Sequence, residues 1–447
     1  MTLTVFRSRR VVTPDGIRAA TVHVRDGKIE AVADYDAWPT TAERVDVGES
    51  VLMPAVVDTH VHVNEPGRTD WEGFKSATRA AASGGVGTLV DMPLNSIPST
   101  VSADALRIKK KEALGQCLID VGFWGGVIPG NTRELEGLVL EGARGFKCFM
   151  CHSGVDEFPG VVESDMRPAM QELKRLGRPL LVHAEVEGPI DAVAAEIAKK
   201  DPRAYFTYLA SRPQAAEAEA ISIASRLCRE TGARTHIVHH SAGDALPLIK
   251  AAKNEGLPFT AETCPHYLHF VAEEIADGAT TFKCAPPIRE KSNRELLWAA
   301  LGDGLLELVA SDHSPCTPLL KKQELGDFMA AWGGISGLQL GLPVTWSGAS
   351  SRGYGLERLV KWMCEAPAKL AGIDDRKGRI AAGYDADLTV FEPDQLFRVD
   401  VSKLQHKNKL TPYADAELRG VVTSTYVRGT RVFHQGEHAT PLTGQFI

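Results

Sequence analysis

The chain has 447 residues, 44% of them hydrophobic and 24% charged, with a formal net charge of −7. This is ordinary globular composition with ample apolar material for a large core, and the acidic balance leaves no footprint for nucleic acid. No apolar run approaches the roughly 18 residues of a membrane span, so neither nucleic acid nor a membrane is an expected partner.

The first segment carries Arg9-Arg10, a twin-arginine pair, but polar, turn-rich sequence follows it rather than an apolar stretch. That pattern is not an export signal, and a cytoplasmic location is expected. Residues 1–52 hold short β-patterned runs such as Thr21-Val-His-Val-Arg-Asp-Gly-Lys-Ile, with Asp26-Gly27 as hairpin punctuation. Residues 378–447 repeat the pattern in Asp387-Leu-Thr-Val-Phe and in Thr425-Tyr-Val-Arg-Gly-Thr-Arg-Val-Phe. Neither end can bury a core alone, so the two are expected to combine into one small composite β-sandwich domain.

Between them, residues 53–377 alternate apolar strand candidates with helical spacing. The strands are predicted at 51–63, 87–92, 117–124, 143–150, 179–185, 234–240, 258–263 and 307–312. After the first, Phe74, Ala77 and Ala81 share one helical face. Eight such units predict the α/β class and a (β/α)8 TIM-like barrel, although an open doubly wound sheet shows the same alternation.

The strongest local signal is Asp58-Thr-His60-Val-His62. Alternate residues on a strand share a face, so His60 and His62 project together, and Pro66-Gly67 places them near the strand's end. Alone, the pair is also compatible with an ordinary strand face. Polar residues, however, recur where other apolar runs stop: Lys147 in Phe-Lys147-Cys-Phe, His183 after Leu-Leu-Val, His239 in Ile-Val-His239-His240, and Asp312 after Val-Ala-Ser. Buried groups of this kind need partners to offset desolvation, and metal ions at a shared barrel mouth supply them. An uncharged Lys147 amine can add carbon dioxide to become an anionic two-oxygen ligand; the alternative is a lysine that binds an anionic substrate. The eight cysteines are scattered, and Cys148 and Cys151 form an isolated C-x-x-C, which fits reduced thiols.

These residues resemble the cyclic amidohydrolases of the amidohydrolase superfamily, which include dihydroorotases, dihydropyrimidinases and allantoinases. The likeness extends to Gly378-Arg-Ile-Ala-Ala-Gly-Tyr-Asp-Ala-Asp-Leu, which is similar to the superfamily's return to its β-domain. The resemblance implies two divalent ions per chain, zinc first among zinc, iron, cobalt and manganese. It implies His60, His62 and Asp312 on one ion, His183 and His239 on the other, and N6-carboxylated Lys147 bridging both. His239 fits an H-x-x-H-x-S pattern counted from His236, while His240 holds a position that is usually apolar.

Within the family the details look most like the allantoinase branch. Asn64 stands where dihydroorotases carry an Arg for the substrate carboxylate, and an amide suits a neutral ureido group instead. Cys284-Ala-Pro-Pro-Ile-Arg289 and Asp312-His-Ser-Pro-Cys316 also depart from the dihydroorotase pattern. His152 stands where dihydropyrimidinases carry an oxyanion-donating Tyr. The implied partner is a small neutral cyclic ureide, contacted by Asn64, Asn95, His152, Ser314, Gly334 and Ser336, with Asp312 moving the proton. The resemblance further implies a homo-oligomer, a tetramer in this family. The alternatives are a dihydropyrimidinase or hydantoinase type of hydrolase, or a non-catalytic scaffold relative; the retained ligand set argues against the scaffold.

Overall fold

The computed structural model describes residues 3–447; Met1 and Thr2 of the expected β-domain lie outside the described residues. Parallel pairing runs in chain order from Val56–Val61 to Val86–Asp91 to Asp120–Phe123. It continues from Gly125–Gly126 through Phe146–Phe149, Leu180–His183, Thr235–Ile237, Phe259–Thr263 and Leu308–Val309. Asp120–Phe123 and Gly125–Gly126 are two halves of one run broken at Trp124, whose N–H returns to the Asp91 carbonyl at 2.9 Å. The last strand rejoins the first: Val61 bridges His313 in parallel, and His62 N–H donates to the His313 carbonyl at 2.8 Å. Among the described residues the pairing thus runs in a cycle from the last strand back to the first, which an open doubly wound sheet would not do.

The local sequence explains much of this. Every residue of Val56–Val61 and Val86–Asp91 is buried, as expected for strands covered on both faces. Helices fill the connections, among them Phe74–Ser83, Ala103–Ala113, Glu163–Leu176, Gln214–Thr231, Leu246–Asn254 and Lys291–Gly302. Phe74, Ala77 and Ala81 form the buried face of the first, and Glu65 caps it by accepting the Phe74 N–H at 2.8 Å. The Gly125-Gly126 pair is dictated by space: a Cβ on Gly125 would lie 2.6 Å from the Phe146 ring, and one on Gly126 2.4 Å from the Phe158 ring.

The strand predicted over 51–63 divides. Val51–Pro54 joins a second sheet, and Ala55 turns its N–H to the Asp387 carbonyl at 2.9 Å before Val56–Val61 begins the cycle. That second sheet has nine strands, five from Thr4 to Pro54 and four from Leu388 to His438, joined where Leu388–Phe391 pairs antiparallel with Val51–Pro54. The hairpins at Asp26-Gly27 and Arg428-Gly429 turn through paired left-handed residues, as their sequences predicted. The expected sandwich is hydrogen-bonded as one continuous sheet rather than two. Phe6 and Tyr426 lie on strands three pairings apart, about 14 Å in a flat sheet, yet their rings meet edge to face at 4.9 Å. The sheet therefore curls over its own apolar face, helped by register breaks at Ser8/Val11 and Glu392/Leu396.

A buried ion cluster ties the sheet to the cycle. Lys377 Nζ reaches Asp120 at 2.6 Å and Asp385 at 3.0 Å, and it also bonds Asp387. Asp120, Asp385 and Asp387 are close enough to hold a metal, but the Lys377 ammonium already supplies their counter-charge.

Candidate metal centre

Each polar residue at a strand end reaches one mouth of the cycle. His60 Nε2 and His62 Nε2 lie 3.3 and 3.5 Å from Asp312 Oδ1. His183 Nδ1 faces His239 Nε2 at 3.0 Å, and the His60 and His239 rings are 5.3 Å apart. Lys147 Nζ is fully buried, 3.3 Å from His60 Nε2. Asp312 and His239 both follow the ends of their strands in the left-handed region, at φ 43° and 39°. Non-glycine residues pay roughly 1–2 kcal/mol there, and such strain collects at functional positions. The structure brings His239 into this cluster and not His240. The latter turns toward Glu217, with 3.8 Å between Nδ1 and Oε2, and neither of its ring nitrogens is hydrogen-bonded.

Outer partners set the ring tautomers. His60 Nδ1 meets Glu262 Oε1 at 2.5 Å, and His183 Nε2 meets Glu185 Oε2 at 2.8 Å. His62 Nδ1 meets the Leu94 carbonyl at 3.3 Å; a carbonyl only accepts, so that nitrogen carries the proton. Burial lowers the His60, His239 and His183 imidazoles below their ordinary values, so the rings are neutral. Neutral His60, with its Nδ1 proton directed at Glu262, turns its Nε2 lone pair toward Lys147 Nζ and the Asp312 carboxylate. Neutral His183, protonated at Nε2 toward Glu185, accepts at Nδ1 from His239 Nε2. The ligand atoms of His60, His62 and Asp312 lie within 4.8 Å of one another, and an imidazole and carboxylate donor set of this kind suits zinc and its neighbours. The residues present therefore fit a metal.

Glu262 and Glu185 were not singled out from the sequence. Glu262 also bonds His236 Nε2 at 3.1 Å and accepts the His239 N–H at 3.3 Å, so one carboxylate braces three histidines. Glu185 is held bidentate by Arg212 at 2.9 and 2.6 Å. Burial pushes the Glu185 carboxyl upward, but Arg212 and His183 outweigh it and hold it well below the usual range. The available signal was an acid inside each apolar run, since a buried carboxylate needs a partner. Such bracing fixes ligand orientation and basicity. Burial lowers the Lys147 ammonium to about 8, against the opposing charges of Asp312 and Glu262.

The cluster floors a cavity of about 750 Å³. Asn95, His152, Ser314 and Gly334 line it, whereas Asn64 and Ser336 do not. Asn64, expected to contact the ureide directly, lies outside the cavity lining. Its Oδ1 accepts Asn95 Nδ2 at 3.0 Å and its Nδ2 donates to the Pro315 carbonyl at 3.3 Å, so both ends are engaged behind the wall. Ser336 is buried away from the cavity, its carbonyl accepting from Thr411 Oγ1 at 2.7 Å. His152 is exposed at the rim, 3.7 Å from Asp156. All eight cysteines are buried and unpaired, Cys148 and Cys151 included. Among the described residues no helix is long and apolar enough to cross a membrane.

Gly334 sits at φ 149°, and a Cβ there would lie 2.3 Å from the Ser314 carbonyl oxygen. Gly334→Ala must displace the cavity wall. It is expected to lower kcat/KM about 10²-fold, the cost of a misplacement near 1 Å, with metal content preserved. Parallel kinetics and metal analysis check this.

The family model described as "Amidohydrolase family" matches residues 51–432. An allantoinase from Streptomyces avermitilis is 51% identical over 438 residues, covering 98% of this chain and 97% of its own length. An allantoinase from Arabidopsis thaliana is 45% identical, covering 98% of this chain and 89% of its own length. Among solved structures, the L-hydantoinase (dihydropyrimidinase) from Arthrobacter aurescens superposes with a TM-score of 0.94 at 34% identity, covering 100% and 99% of the two chains.

Proposed function

Because this chain belongs to the amidohydrolase family, we propose that it hydrolyses the hydantoin-ring amide of allantoin to give allantoate. It is a hydrolase of cyclic amides. The observation that carries the reading is the convergence of the His60 and His62 imidazoles on the carboxylate of Asp312, with His183 and His239 paired beside them. His60, His62 and Asp312 would hold one divalent ion, His183 and His239 a second, and carboxylated Lys147 would bridge them. Such ions, when bound, supply Lewis acidity toward the ring carbonyl and a nucleophilic water at neutral pH.

The chain's own groups do the rest. Asp312 lines the cavity and takes the proton from the attacking water, then returns it to the ring nitrogen as the amide C–N bond breaks. Asn95, held by Asn64, together with Ser314 and the backbone at Gly334, orients a neutral ureide through paired donors and acceptors. Glu262 and Glu185 keep the histidines in register.

The same reading takes the closed cycle of parallel strands as a (β/α)8 barrel over residues 53–377, with 1–52 and 378–447 as the flanking β domain. Zinc as the metal, a homotetramer as the assembly and the cytoplasm as the compartment complete it. The ligand pattern supports the first, family resemblance the second, and eight unpaired cysteines the third.

The test is kcat/KM for allantoin, dihydroorotate, dihydrouracil and hydantoin under one set of conditions. Allantoin is expected to lead. The wall at Asn95, held from behind by Asn64, offers a neutral amide for a ureido arm, and sites built to bond a substituent reject analogues lacking it. A higher value for dihydroorotate or dihydrouracil would sink the substrate assignment and leave the cyclic-amide hydrolase.

A further inference from the structure

The chain after Asp312 forms part of the cavity wall at Met329, Ala331, Trp332, Gly333 and Gly334, and residues 329–334 lie in no helix or strand. Its carbonyls must find partners elsewhere. Two lysines provide them. Lys321 is buried, and its Nζ donates to the carbonyls of Lys283 at 3.1 Å, Trp332 at 3.0 Å and Gly334. An ammonium has three donors, and all three are used. Lys283 Nζ donates to Met329 at 3.1 Å and Ala331 at 2.6 Å.

Every hydrogen-bond partner of these two ammonium groups is a main-chain carbonyl. Burying a charge without a carboxylate is costly unless its protons are fully satisfied. Here the charge draws the carbonyls of Met329, Ala331, Trp332 and Gly334 onto the lysines. The Lys283 carbonyl, in turn, accepts both Lys321 Nζ and the Gly334 N–H, the latter at 2.8 Å, so the two lysines and the wall form one network.

We infer that Lys321, seconded by Lys283, is a positioning residue that fixes the peptide orientation of the wall at 329–334 and so sets how tightly the substrate is held. It acts without reaching the reacting atoms. Removing the ammonium frees the Trp332 and Gly334 carbonyls to rotate, which changes the donors and acceptors presented to a polar substrate. The ligands on the strand ends do not depend on this network, so binding suffers and the chemical step does not. The substrate named in the test rests on the function proposed above.

The experiment compares Lys321→Met and Lys283→Met with the parent protein. It measures KM and kcat for allantoin, metal content, and amide hydrogen exchange at Ala331, Trp332 and Gly334, whose N–H groups are bonded to Asp327, Leu320 and Lys283. Lys321→Met is expected to raise KM about tenfold or more while kcat changes by less than about threefold. Metal content should stay parental, and exchange at the three amides should quicken. Parental KM with parental exchange overturns the inference, as does a fall in kcat and metal content with KM unmoved. If Lys321→Met does not fold, Lys283→Met decides by amide exchange at the same three positions, because Lys283 itself lines the cavity and loss of a direct contact would by itself change KM. If the parent leaves allantoin untouched, the substrate reading fails while the exchange comparison, which needs no substrate, still decides this one.

Discussion

Lys147→Ala is expected to lose roughly 10³-fold in kcat/KM, since several kcal/mol of Lewis-acid stabilisation translate to about that factor, together with one or both bound ions. Lys147 is fully buried in the strand Phe146–Phe149, with Nζ 3.3 Å from His60 Nε2. Burial lowers its ammonium to about 8, so an uncharged fraction exists near neutral pH. That amine can bond to the carbon of carbon dioxide and release a proton, leaving a carbamate with two oxygens. Alanine would remove the proposed bridge and leave a void in its place. A short carboxylic acid added to the variant should enter it and restore part of the activity and metal binding. Metal analysis and turnover, with and without the acid, check the expectation. Two retained ions with parental turnover would remove Lys147 from the centre. Full metal content with a raised KM alone would instead make it an anion-binding lysine.

Asp312→Asn is expected to lower kcat by about 10²–10⁴-fold, the usual worth of one positioned acid–base group. The amide keeps the shape and one ligand oxygen next to His60 and His62 but accepts no proton at the reacting atoms. The backbone should tolerate the change, because residue 312 sits at φ 43°, a region asparagine visits as readily as aspartate. Metal content should therefore fall much less than turnover. The check is kcat and ion content on the same preparation; an unchanged kcat would exclude Asp312 from proton transfer.

Much of the fold and of the metal cluster was legible because it rests on short-range pattern. A period of two on Asp58-Thr-His60-Val-His62 places both imidazoles on one face, and polar residues closing apolar runs mark strand ends at Lys147, His183, His239 and Asp312. The Asp26-Gly27 and Arg428-Gly429 turns were local too. What tertiary structure alone decided is which polar ends are free and which are already satisfied. Asn64 looked available, yet Asn95 and the Pro315 carbonyl occupy both ends of its amide. Glu262 looked like one acid in a strand, yet it braces His60, a residue 202 positions away. The H-x-x-H-x-S pattern from His236 favoured His239 over its neighbour His240, and the left-handed turn at 239 sends the first ring to the cluster and leaves the second against Glu217. Lys321 carried no motif at all, because its partners are main-chain carbonyls, which every residue possesses. Side-chain periodicity records which face a residue occupies, whereas hydrogen-bond saturation depends on segments far apart in sequence brought together by the closed cycle of strands.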